Sequence, residues 1–332
     1  MRIPGSKHLA LSGRWLRSRW VHGAMILGYH RIATYCSDPY SICVTPENFS
    51  EHLAIIRENV RPITLQHLVG ALRTGTVPPR SVVITLDDGY ADNLHIAKPL
   101  LERYEVPATF FITSGYLGRE FWWDQLDRIL PGPATLPEHL SLTIRGGVHR
   151  LEATGPGNRN SEQSAAAWRQ RSLFWLYGLF QPLLDNERQK VMEQIRAWPG
   201  ALAAYDDPAP RLLSPDELRK LAQDTLVEIG AHSISHPHLV SLAVSEQTAE
   251  IQGCKNDLEN IINRPVTSFA YPHGSLSGAT ATAVRNAGYS CACTSLNDIV
   301  WSRSDCFELP RFWPTDCDGA SFGRWLRRWM DD

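Results

Sequence analysis

Short runs of β-branched and aromatic residues recur along this chain, and each is followed by apolar side chains at helical spacing. Val82, Val83, Ile84 and Leu86 form one such run, which predicts a buried strand, and Ile96, Leu100, Leu101 and Tyr104 follow on one helix face. A second apolar run, Ala108 to Thr113, completes a strand–helix–strand unit. The same alternation predicts an earlier strand over Ala24 to Ile32. Later strands are expected over Val227 to Ala231, Val266 to Tyr271, Ser290 to Thr294 and Cys306 to Leu309. Thr45-Pro46-Glu47 reads as a helix start with Phe49, Leu53 and Ile56 on its apolar face. Ser214-Pro215-Asp216-Glu217 reads as another, with Pro at the first helical position and acids in the first turn. Further helices are expected from Thr64, over Ala165 to Phe180, Asn186 to Trp198, Ser245 to Ile262 and Ala279 to Ala287. Repeated strand–helix alternation with polar residues at strand ends indicates an α/β fold with a parallel, barrel-like sheet.

The regular pattern breaks between Gly118 and about Arg211. Pro131 to Asn160 is rich in Gly and Pro, with a hairpin expected around Gly146-Gly147, and two helical stretches follow. This segment reads as a largely helical insertion between the two halves of the barrel, suited to a lid or substrate wall. The organisation expected is a basic tail over 1–25, one main domain over 26–320 carrying the 118–211 insertion, and an amphipathic helix over 321–332. In that last helix Phe322, Trp325, Leu326 and Trp329 make a stripe for packing on the barrel.

Composition narrows the picture. The 332 residues suffice for a large core, and a net charge of −2 argues against nucleic acid as a partner. Seven cysteines without a C-x-x-C pair fit neither a disulfide framework nor a thiolate zinc site, so a reducing compartment is expected. Cys291 and Cys293 should face the same side of a strand. The first thirty-one residues hold six basic and no acidic side chains, but no uninterrupted apolar core of a signal peptide follows. The expectation is a cytoplasmic protein with a basic tail that is a candidate for peripheral membrane contact. No stretch approaches the roughly 20 apolar residues of a membrane span.

The candidate chemistry sits at strand ends. Asp87-Asp88-Gly89 closes the Val82–Leu86 run, and alone it reads as a turn. Its weight changes with Leu226 to Leu239, where another apolar run ends in His232 and His236, four residues apart. Two imidazoles and a carboxylate suit a borderline cation such as zinc and leave a coordination position open. Thr85-Leu86-Asp87-Asp88-Gly89 and His232-Ser233-Ile234-Ser235-His236 together resemble the two leading motifs of the NodB-homology polysaccharide deacetylases. That family consists of metal-dependent carbohydrate de-N-acetylases, and the resemblance implies an α/β fold built as a distorted, incomplete (β/α) barrel.

The resemblance implies Asp88, His232 and His236 as ligands of Zn2+ or another divalent metal such as Co2+ or Ni2+. It implies Asp87 as general base for a metal-activated water attacking an acetamide, and the backbone N–H of His273, within Pro272-His273-Gly274, as oxyanion donor. Tyr271, Pro272, Gly274 and Trp123 are the expected substrate contacts. Two departures stand out: Ala270 replaces the arginine that usually opens the third motif, and no histidine follows His273. Arg311, after Pro310, is the expected replacement for that arginine, steadying Asp87. His30, in Tyr29-His30-Arg31, is the expected acid, as poly-N-acetylglucosamine deacetylases are similar in placing a site histidine ahead of the aspartate motif. The expected partner is an N-acetylated glycan, and the oligomeric state is open. The alternatives are an amidohydrolase of small non-sugar amides and a glycan-binding pseudoenzyme.

Overall fold

In the computed structural model the described residues are 23–34, 38–130, 139–152, 162–183, 185–198 and 210–330. Most of the basic tail expected over 1–25, both ends of the Pro131 to Asn160 stretch and the last two residues lie outside them. The chain divides into two compact units, one formed by residues 1–119 with 212–332 and the other by residues 120–211.

The larger unit is a curled parallel sheet. Its strands are β1 (Ala24–Tyr29), β4 (Arg61–Pro62), β5 (Ser81–Leu86), β6 (Ala108–Ile112), β9 (Val227–Ala231), β10 (Ser268–Ala270) and β11 (Cys291–Cys293). They run in the order β1-β5-β6-β9-β10-β11, with β4 also on β5. Between them lie α1 (Pro46–Asn59), α2 (Leu65–Thr74), α3 (Lys98–Tyr104), α7 (Pro215–Leu221), α8 (Val244–Ile262) and α9 (Gly278–Asn286), with α10 (Gly319–Met330) at the end. Strands β1, β5 and β6 are buried at every position, as expected where a parallel sheet is covered on both faces. Alternate residues separate the faces. Ala24, Ile26, Val83, Phe111, Ala270, Cys291 and Cys293 join the buried face of α2, while Met25, Leu27, Val82, Ile84, Phe110 and Ala292 join residues of α1, α8 and α10.

Two strand expectations need correction. The run from Ala24 to Ile32 is not continuous: β1 stops at Tyr29, and β2 (Arg31–Ile32) pairs instead with β3 (Cys43–Val44). His30 therefore sits in the break. Cys306 to Leu309 is not a strand either. The Asp305 carboxylate and carbonyl accept the N–H groups of Phe307 and Glu308, so the chain turns there. Only the stretch from Leu309 to Phe312 extends, and it lies between β11 and β1. Leu309 accepts from Thr294 (2.8 Å) and Phe312 accepts from Gly28 (2.7 Å), so this segment closes the gap between the sheet's two edges. The helix after Asp-Asp-Gly also opens unexpectedly, with a wide π-helical turn over Asn93–Ala97. Pro99 lacks an N–H and its ring crowds the carbonyl four residues back, which disfavours an α-turn there.

The second unit is smaller. It contains α4 (Trp122–Ile129), the hairpin β7 (His139–Ile144) with β8 (Gly147–Glu152), α5 (Glu162–Phe180) and α6 (Asp185–Arg196). The hairpin turns at Arg145-Gly146, both at positive φ, as a two-residue primed turn requires. Leu173, Leu176, Phe180 and Ile195 are buried, and Arg169 pairs with Asp127 at 2.9 Å.

Candidate active site

The Asp87-Asp88-Gly89 turn leaves the carboxyl end of β5 and is tied on three sides. Asp87 N–H donates to Tyr29 O (2.8 Å), Thr113 N–H to Asp88 O (3.2 Å) and Leu213 N–H to Gly89 O (2.9 Å). Asp88 and Gly89 both adopt positive φ, at 76° and 87°. That conformation costs a non-glycine residue energy unless its surroundings impose it, and these bonds do so. The consequence is that the neighbouring carboxylates point to different partners.

Asp87 is buried and held by Arg311, whose two terminal nitrogens each donate to one carboxylate oxygen at 2.7 Å. Arg311 is itself fixed by donating to Thr294 O (2.9 Å) and Thr85 Oγ1 (3.1 Å). Burial alone pushes the Asp87 carboxyl up, but the Arg311 charge, His232 and the bidentate bonds outweigh it and bring it down to about 2. Asp87 is ionised at any physiological pH. Arg311 also lies over the Trp313 ring (4.7 Å), and the other partner of that ring is His30, stacked at 4.9 Å. Trp313 can lie flat because residue 28 is glycine: a Cβ there would come within 2.6 Å of the indole. His30 is close enough to interact electrostatically with Asp87, Asp88 and His236. Its backbone is held from the other side, where Asn93 donates to His30 O (2.9 Å) and Asp92 pairs with Arg31 (2.9 Å).

Asp88 faces the two histidines. Its Oδ1 lies 3.3 Å from His236 Nε2 and 3.6 Å from His232 Nε2. His232 Nδ1 meets Ala270 O at 2.8 Å, so Nδ1 carries the proton and donates, which leaves Nε2 as a lone pair aimed at Asp88. Burial lowers His232 to about 4 and His236 to about 3, so both rings are neutral near pH 7. Asp88 is raised by burial.

Asp88 Oδ1 is buried and accepts no hydrogen bond among the described residues. A buried acceptor facing imidazole lone pairs is costly unless a cation lies between them. Ligand bonds of about 2.0–2.1 Å in a tetrahedral zinc site put neighbouring ligand atoms about 3.3 Å apart; the Asp88–His236 separation equals that edge and the Asp88–His232 separation, 3.6 Å, is slightly longer. Among the described residues Asp88, His232 and His236 offer three ligand atoms within 4.8 Å of one another. The donor set therefore fits a divalent transition metal.

The other expected site residues divide. Exposed His273 lies edge-on to His236 (4.5 Å) and stacks on His238 (3.9 Å), with φ 56° in a tight turn. Desolvation of the ring between those partners, followed by His236, His238 and His232, lowers its pKa, and solvent at its exposed side moderates the effect. Gly274 donates to Tyr271 O (2.9 Å) to close that turn, and Pro272 is buried within it. Tyr271 needs correction as a substrate contact: it is 1% exposed, its hydroxyl donates to Phe307 O (3.0 Å), and its ring packs on Phe269. Trp123 needs the same correction, since its ring is buried against Phe121 (3.9 Å) inside the second unit. Sequence reasoning missed Trp313, Thr294 and Asn93, and gave Thr85 no role beyond its place in the motif. Arg311-Phe312-Trp313 after a strand end was the available signal for Trp313, whereas a hydroxyl or carbonyl that meets an arginine across the fold leaves no local pattern.

A profile of the family described as polysaccharide deacetylase matches residues 74–140 and 187–292, more than half of the chain. A poly-beta-1,6-N-acetyl-D-glucosamine N-deacetylase of Escherichia coli (strain K12) is 29% identical over 94 residues, covering 27% of this chain and 14% of the relative. The protein of the same name from Staphylococcus aureus is 26% identical over 112 residues, covering 30% and 39%. The chain thus aligns with well under half the length of these curated relatives. Two solved structures share the fold: a Streptococcus pyogenes deacetylase, PplD, in complex with acetate, and IcaB from Ammonifex degensii. The first has a TM-score of 0.59 at 16% identity and covers 94% of this chain and all of its own. The second has 0.58 at 16% identity, covering 92% and 97%. On the extent of the family match, the chain belongs to the polysaccharide deacetylase family.

Proposed function

We propose that this protein is a metal-dependent hydrolase that removes N-acetyl groups from N-acetylhexosamine units of a glycan. The observation that carries the reading is the convergence of the two imidazole Nε2 atoms on Asp88 Oδ1, at 3.3 and 3.6 Å, with His232 Nε2 also 3.8 Å from an Asp87 held ionised by Arg311. Zinc, cobalt or nickel held by Asp88, His232 and His236 would supply Lewis acidity to an acetamide carbonyl and to its attacking water. Asp87 is fixed to take that water's proton, and Arg311 keeps both of its oxygens in place. His30, braced between Trp313 and the Asn93 bond, is the proposed donor to the departing amine. The amide of His273 is the proposed oxyanion donor. Arg311 stands where the missing third-motif arginine would act, which favours a competent enzyme over a pseudoenzyme.

The test is acetate and free-amine release from β-1,6-linked N-acetylglucosamine oligomers and chitooligosaccharides, with a simple N-acetyl amine as the non-sugar control. Chelator-treated protein should be inactive, and zinc, cobalt or nickel should restore release in equal amounts of acetate and amine. Faster turnover of the simple amide would favour the amidohydrolase reading. No turnover of any substrate with any metal would overturn the proposal.

A further inference from the structure

The segment between the two histidines is neither helix nor strand, and its backbone N–H groups need acceptors. Two successive amides and a hydroxyl go to one side chain from a different element, Glu250 of α8. Its Oε2 accepts from Ile234 N–H (2.8 Å) and Ser235 N–H (2.8 Å), and its Oε1 accepts from Ser235 Oγ (2.7 Å). The next amide, of His236, donates to Ser233 Oγ (3.0 Å). Ser233 and His236 both sit at positive φ, 65° and 56°. Backbone N–H groups in such a turn form a concave anion site, and here a carboxylate of the same chain fills it.

The loop is also gripped from the side. Ser114 and Gly115 donate to Ser233 O (3.2 Å) and Ile234 O (2.9 Å), and a Cβ at Gly115 would come within 2.6 Å of that second carbonyl. Shape and hydrogen bonding therefore fix where the backbone places His236 relative to His232.

We infer that Glu250 is a positioning residue for metal binding: it holds the loop in the conformation that brings the His236 ring toward Asp88. The inference rests on the reading of Asp88, His232 and His236 as ligands. Groups that orient ligands without touching the metal are typically worth 10–100-fold in metal affinity. Glu250→Ala leaves two amides and a hydroxyl without their acceptor and frees the loop. Glu250→Gln keeps one oxygen for the amides but loses the charge, so it should fall between parent and Ala.

The experiment is titration of chelator-treated, full-length protein with Zn2+ against a chromophoric chelator, alongside thermal unfolding of the metal-free forms. Asp88→Ala is the ligand control, and Leu258→Ala, a buried change lower on α8, is the stability control. Glu250→Ala should bind zinc 10–100-fold more weakly, Glu250→Gln should be intermediate, and Leu258→Ala should lower the melting temperature with parental affinity. Parental zinc affinity in Glu250→Ala, or equal weakening in Leu258→Ala, overturns the inference while leaving the ligand assignment standing. If Glu250→Ala does not fold, parental affinity in Glu250→Gln overturns it. Zinc binding by Asp88→Ala as tight as the parent's overturns the ligand assignment itself, and the inference with it.

Discussion

At the residue scale, two adjacent aspartates are set to different tasks by what surrounds them. Asp88 faces neutral imidazoles, and removing it or His232 takes away one of three ligand atoms. Asp88→Ala and His232→Ala should each abolish tight zinc binding and deacetylation together, read by metal analysis and acetate release. Asp87 faces a guanidinium. Asp87→Asn should retain zinc and lose turnover by about 10²–10⁴-fold; loss of zinc in Asp87→Asn would show that the two carboxylates exchange roles. Arg311 is 1% exposed, so Arg311→Met strands a buried carboxylate and should destabilise the fold by about 3–5 kcal/mol in urea unfolding. Adding Asp87→Asn to it should recover part of that loss, because the stranded charge is removed.

At the element scale, strand ends and helix faces were legible along the chain because each follows a local period. The helix start at Ser214–Glu217, predicted from four residues, is present, and it is closed by a capping box with bonds in both directions. The C-terminal stripe also packs as its spacing suggests: Phe322 and Leu326 are buried, and Phe322 stacks on His52 at 4.1 Å. Phe322→Ala should therefore cost about 3–5 kcal/mol, whereas exposed Arg324→Ser on the opposite face should change stability by less than about 0.5 kcal/mol. Equal effects of the two changes in denaturant titrations would mean that the helix does not pack through this stripe. Where the period misled, a side chain or a proline intervened. Asp305 turned a predicted strand, and the chain broke at His30, beside the buried Arg31–Asp92 pair.

For the whole molecule, burial of histidines sets an acid limit. His232 and His236 are lowered to about 4 and about 3, and burial also lowers His52, which receives the Tyr29 hydroxyl and donates to Cys317 O. In the unfolded chain such rings titrate near pH 6.5, so below that pH the unfolded state takes up protons first. The folded state of metal-free protein should be fully favoured above about pH 6.5 and lose stability as pH falls toward 4. Each ring contributes about 1.4 kcal/mol per unit of pH across its window. Asp87 adds a lower window: its stabilisation is complete above about pH 4 and is lost as pH falls through about 2. Urea midpoints of chelator-treated protein at pH 7.5 and 5 measure the histidine effect. A midpoint that rises on acidification contradicts it, and His52→Gln should make the fall shallower.

The sequence alone determined what depends on neighbours within one element. Strand and helix identities, the order of the barrel halves and the Asp-Asp and His-x-x-x-His pairs are set by periods of two and 3.6 residues and by turn chemistry. Tertiary structure decided what depends on strand order. Arg311 reaches Asp87 across 224 positions because the segment from Leu309 to Phe312 lies between β11 and β1. The same closure stacks Trp313 on His30, and the packing of α8 beside β9 delivers Glu250 to the histidine loop. Tyr271 shows the converse: its place after a strand end suggested substrate contact, yet the fold turned its ring into the core. Position along a strand says which end a residue occupies, but only the neighbouring elements decide whether its side chain meets solvent, a partner or the interior.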